Sequence, residues 1–134
     1  MATPVLRTDF SASERWEAVR TAIDSPSMDA YGFVPDVEFV DDPDYRDLST
    51  EQILALVPGS WAHPILVVFD RIAVASAEFP LLVIDLMAER GREMRVIAAE
   101  LWSIEANLSI SNMDFHEFAD GADEDGVFRG FPEE

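Results

Sequence analysis

A chain of 134 residues, about half of them apolar, is the size of one ordinary domain and can bury roughly two-thirds of its unfolded surface, which argues against a disordered chain. The net charge of -18 comes from 27 acidic residues against nine basic ones, all Arg with no Lys; such a surface repels nucleic acid phosphates and anionic lipid and favours cations or a basic protein partner. No cysteine occurs, which excludes disulfides, thiolate nucleophiles, cysteine-ligated zinc and iron–sulfur clusters.

Residues 4–8, "PVLRT", read as a short strand running into Asp9 and Phe10. Ser11 then opens a helix, and Glu14 three positions on completes a capping box. Trp16, Val19 and Ile23 recur at helical spacing and should face a sheet, until "DSP" ends the element. The second unit repeats this order: "VEFVDD" (37–42) alternates, then turns at "DPDY", and Ser49 with Gln52 forms another capping box, outside which Leu48 can staple against Ile53. Ile53, Leu54, Leu56 and Val57 make the expected buried face, closed by Pro58 and Gly59.

"PILVVFD" (64–70) is apolar without alternation, as a strand covered on both faces is. "RIAVASAEFP" is one or two helical turns; "LLVIDL" and "EMRVIAA" supply the fourth and fifth strands, and the Gly in "MAERGR" between them predicts an antiparallel hairpin. "AELWSIEANLSI" fits two periods, a helix through Leu101, Ile104 and Leu108 or a strand alternating from Trp102 to Ile110; the expectation here is a helix over 99–107. Asn112 is placed to cap "MDFHEFADGA", and after Gly126 the segment "VFRGF" packs back or hangs loose. The expected architecture is therefore α/β: a single domain over 1–134 with a mostly parallel open sheet of about five strands, an antiparallel C-terminal edge hairpin, packed helices and two C-terminal helices.

"LRTDF", "FVDDPDY" with "LSTEQILALVP", "PLLVIDL" and above all "ELWSIEANLSISNMDFHEFADGADEDGVFRGF" resemble a family of small acidic bacterial proteins, typical of high-GC Gram-positive bacteria, known as a domain of unknown function. The resemblance covers about residues 3–131, is most specific in the C-terminal block, and implies no activity, cofactor or catalytic residue.

Four acids fall at the ends of expected strands: Asp9, Asp41 with Asp42, and Asp70. In a parallel sheet those ends share an edge, where such folds bind ligands, and several carboxylates gathered there would call for Mg²⁺ or Ca²⁺, as in a phosphate-ester enzyme. Against this, the chain lacks the Lys of phosphoryl pockets, "DFS" supplies no second acid beside Asp9, and Asp before a helix is ordinary capping chemistry. "GADEDG" (121–126) places Asp123, Asp125 and Gly126 as in a calcium loop, but Gly121 and Pro132 stand where the first and last ligands belong, so it reads as a solvated turn. His63 lies in a loop; His116, with Asn112 and Asp120 four residues to either side, lacks a third metal ligand, and Ser60 near His63 lacks a nucleophile elbow.

In the last block, Met113, Phe115 and Phe118 read as core, leaving Asp114, Glu117, Asp120, Asp123, Glu124 and Asp125 as a negative outer surface, either solvating or a docking face for a cationic protein. The favoured expectation is a cofactor-free binding module engaging a basic protein, immunity-like or regulatory, with no nucleic acid or membrane partner; the alternative is the metal-dependent enzyme built on Asp9, Asp41, Asp42 and Asp70. No heptad seam predicts an oligomer. "MATPVLRTDF" lacks a basic segment before an apolar run, and runs such as "ILVVF" fall far short of the roughly 20 residues of a membrane helix, so a cytoplasmic protein is expected.

Overall fold

The computed structural model describes residues 3–24, 37–56, 65–86, 90–101, 104 and 115–129. Six strands form one mixed sheet: β1 (Thr3–Arg7), β2 (Val37–Val40), β3 (Ile65–Phe69), β4 (Pro80–Asp85), β5 (Glu93–Ile97) and β6 (Val127–Phe128), in the order β2-β1-β3-β4-β5-β6. The helices described are α1 (Ser13–Asp24), α2 (Thr50–Leu56), α3 (Arg71–Ala75) and α4 (Phe115–Asp120), with short 3-10 turns at Pro43–Tyr45 and Ala98–Glu100. The α/β class is as expected, with one more strand.

Strand direction follows from the length of each connection. β1 pairs in parallel with β2 on one side and β3 on the other, and the intervening chain in each case is long enough for a helical crossover. Between β3 and β4 lie only residues 70–79, five of them in α3, fewer than the roughly dozen a crossover needs, so β4 returns antiparallel. β5 turns back again, giving the expected hairpin, in which Gly91 at φ 97° donates its N–H to the Asp85 carbonyl at 2.8 Å. That hairpin is not the edge of the sheet, however. Val127 and Phe128 pair in parallel with Arg95 and Val96, so the segment left between packing and hanging loose is the edge strand, and β4 alone runs against the other five.

The helices of the first two units lie on opposite faces. Trp16, Val19 and Ile23 of α1 pack with Val5, Val67 and Phe69 of the sheet, a cluster that also takes in Leu101, Ile104, Phe118 and Phe128. Ile53 of α2 packs with Leu6, Leu66, Val68 and Ile84, with Leu48 alongside as the staple anticipated. All five residues of β3 are buried, as its unbroken apolar run requires.

Local signals were met unevenly. Ser49 N–H donates to Gln52 Oε1 at 2.9 Å and Gln52 N–H to Ser49 Oγ at 3.3 Å, the reciprocal capping box. At Ser11 the box is displaced: its N–H and hydroxyl both donate to Asp9 Oδ1, and α1 begins two residues later. Leu56 is 58% exposed rather than buried, because α2 ends there with only Ile53 fully turned to the sheet. Leu101 and Ile104 are helical and buried, while most of the helix expected over 99–107, with the cap at Asn112 and His63, lies outside the described residues. Among the described residues no helix is long and apolar enough to cross a membrane.

Candidate functional site

β2, β1 and β3 run in the same direction side by side, so their carboxyl ends bring Asp41, Asp9 and Asp70 to one edge of the sheet. The edge is shared, but each carboxylate has its own local partner. Asp9 accepts from Ser11 and turns the chain into α1. Asp41 receives Arg7 Nη1 at 3.2 and 3.4 Å. Asp42 caps the 3-10 turn, accepting from Asp44 N–H at 3.0 Å. Asp70 caps α3 through Ala73 N–H at 3.1 Å and takes both terminal nitrogens of Arg95, at 3.0 and 2.7 Å. Among the described residues no three Asp, Glu or His side chains are grouped as a metal ion would need.

Arginine holds this edge together. Arg7, only 5% exposed at the end of β1, donates Nε to the Asp9 carbonyl at 3.2 Å, and its guanidinium lies 4.5 Å from the Phe10 ring centre and 5.5 Å from that of Trp16. A buried cation is tolerable only when its donors are met, and the Asp41 carboxylate and Asp9 carbonyl meet them. Arg15 of α1 reaches across to the Val74 and Ser76 carbonyls at 3.0 and 2.6 Å and stacks on Phe79, pinning the turn before β4, where Phe79 itself sits at φ 50°.

Because the chain leaves β1 toward β2 on one face and returns to β3 on the other, the carboxyl ends of β1 and β3 form a topological switch point, where open α/β sheets part to leave a crevice. One is present there, with a volume of about 510 Å³. The exit of β1 contributes Thr8 and Asp9, the turn after β2 contributes Asp47 and Leu48, and the start of α3 contributes Asp70, Arg71 and Ile72. Asp47 is held in the left-handed region at φ 57° by its N–H, which donates to the Thr8 carbonyl at 2.8 Å. Ile72 is 53% exposed.

At the far side of the sheet a second acidic group surrounds Arg129. Its Nε donates to Glu78 at 3.0 and 3.2 Å, Nη1 to Asp123 at 2.8 Å and Nη2 to Asp125 at 2.8 Å, tying the turn before β6 to the residues before β4. The Arg129 hydrogen bond is the leading cause that holds the Asp125 carboxyl below its ordinary value, and the three carboxylates, Asp125 first, raise Arg129 above its own. Asp123 and Asp125 are thus already engaged with an internal cation, whereas Asp120 and Glu124 stand exposed beside them. Phe118 is buried against Phe128, ring centres 5.3 Å apart, so this part of the segment is core as expected. Asp114, Met113 and the side chains of Phe115, His116 and Glu117 lie outside the described residues.

Sequence reasoning placed the strand-end acids but missed the residues that answer them, Arg7, Arg95 and Arg129, and the crevice residues Asp47, Leu48 and Ile72. A signal for the first group was present. Every basic residue is Arg, the side chain whose planar fork suits bidentate carboxylate pairing inside a structure, where Lys would serve for solvation. Nothing in "DYRDLS" marks Asp47 apart from its neighbours, since its role depends on the Thr8 carbonyl across the sheet edge. A search of curated proteins finds no match to the chain. A family profile does match, over residues 2–131, and the chain belongs to that family, described as a domain of unknown function, DUF6924.

Proposed function

We propose that the protein is a non-enzymatic binding module whose negative surface engages a basic protein partner. The observation that carries this reading is the fate of the arginines. Arg7 and Arg95 are committed to Asp41 and Asp70, Arg15 to two backbone carbonyls, and Arg129 to three carboxylates. With these four arginines held by acceptors within the scaffold, much of the excess of a chain at -18 falls to its exposed acids, Asp120 and Glu124 among them. Such a field steers a cationic partner in and excludes polyanions.

The metal-dependent reading on Asp9, Asp41, Asp42 and Asp70 is weaker, because a cation entering that edge would have to displace Arg7 from Asp41 and Arg95 from Asp70. The test is affinity capture from extracts at low and high ionic strength, followed by a Kd measured on the purified partner. A partner of high pI whose affinity falls steeply with salt supports the proposal; a neutral or acidic partner, or affinity indifferent to salt, refutes it.

A further inference from the structure

We infer that the crevice at the β1–β3 switch point seats an arginine or lysine side chain of the partner, together with the backbone carrying it; this rests on the binding-module reading and names the place of contact. Its volume of about 510 Å³ lies within the roughly 300–1,000 Å³ usual for ligand sites. Its chemistry is two-sided. Leu48 and the half-exposed Ile72 offer aliphatic wall, while Asp9, Asp47 and Asp70 outnumber Arg71 among the charged groups. A long side chain with an apolar stem and a cationic head matches that combination, since the stem lies on Ile72 as the head meets carboxylate.

Asp47 is the group this assigns as the anchor. Asp70 is bonded to Arg95 and to its helix, and Asp9 to Ser11, but no described residue donates to the Asp47 carboxylate. Its backbone is fixed by the bond to Thr8, so binding orders little that is not already ordered. A charged pair formed on a pre-set backbone beside an aliphatic wall is the arrangement in which one contact dominates an interface.

The experiment measures binding of a short fluorescent arginine–glycine peptide, and of its uncharged citrulline counterpart, by anisotropy at low salt. Asp47→Asn tolerates the left-handed backbone and should weaken the arginine peptide about tenfold. Ile72→Ser should weaken it about threefold. Asp120→Asn, the same charge change on α4, should stay within about twofold, and Arg71→Ala should tighten binding. Both Asp47 and Ile72 are exposed, so unchanged thermal unfolding verifies that these variants fold. Equal losses for Asp47→Asn and Asp120→Asn overturn the crevice and leave the acidic-module reading standing. Tightening by Asp47→Asn with loss by Arg71→Ala overturns it in favour of an anionic occupant. A peptide that binds no better than its citrulline form, to any of the proteins, overturns both.

Discussion

The pair between Asp70 and Arg95 makes a quantitative demand on the fold, because one carboxylate caps α3 and also receives a guanidinium from β5, two strands away. The side chains are 23% and 18% exposed, and the contacts of 3.0 and 2.7 Å are two-pronged. Exposed ion pairs contribute about 0.2–1 kcal/mol, whereas hydrogen bonds to charged groups in less solvated settings contribute about 1.5–3 kcal/mol. A largely covered, bidentate pair should therefore couple by about 1–2 kcal/mol. Asp70→Ala also removes the cap, worth about 1 kcal/mol, for a total loss of about 2–3 kcal/mol. Asp70→Asn keeps an acceptor for Ala73 N–H and should cost only about 1 kcal/mol. Arg95→Ala should lose about 2–3 kcal/mol, since the bond to the Pro80 carbonyl at 2.9 Å goes with it. Urea unfolding of the wild type, Asp70→Ala, Arg95→Ala and the double variant closes the cycle, with a constant m-value as the check on two-state behaviour. A coupling below about 0.3 kcal/mol would place this contact with exposed pairs and refute the view that arginine braces the carboxyl edge.

Further outcomes follow from other contacts. Asp125 has a lowered folded-state pKa, so its contribution to stability is present above its ordinary value of 3.8 and is lost as pH falls through the lower folded value; Arg129→Met should flatten the acid end of a stability-against-pH curve, and an unchanged curve would contradict the pairing. Trp16 Nε1 is buried with no hydrogen-bond partner, so Trp16→Phe should cost under about 1 kcal/mol in chemical denaturation, because the orphan donor offsets the lost contacts, while Trp16→Ala should cost about 3–5 kcal/mol. Arg15→Met keeps the stem but deletes the bonds to Val74 and Ser76; a loss of about 2 kcal/mol is expected, along with faster amide exchange at Phe79, and unaltered exchange there would sink the bracing role.

Which parts of this structure could be read from the chain depended on how local their causes are. The Trp16, Val19 and Ile23 stripe, the unbroken β3 run and the Ser49–Gln52 box are each fixed within a few residues, and each stands as read. Ser11 misled because Asp9 competes for the same hydroxyl and backbone N–H, a local contest that residue type does not decide. β6 was harder still: two residues carry no period, and its place beside β5 depends on pairing with Arg95 and Val96 from far along the chain. The candidate site was legible as an edge rather than as a cavity. Asp9, Asp41 and Asp70 announce where the strands stop, but whether they pool their charge or are answered one by one depends on Arg7 and Arg95, whose partners lie 34 and 25 residues away.

The lone reversed strand has a consequence for the order of assembly. β3, β4 and β5 follow one another with short returns, so their pairing closes small loops, while β1 and β2 must wait for two helical crossovers. The meander is therefore expected to assemble first, with the walls supplied by the β1 exit and the turn after β2 fitted to it last. In native-state exchange the β2–β1 amides should open before those of β3 to β5, and simultaneous opening would contradict this order. A weakened variant would then lose the walls of the crevice while most of its sheet still stood.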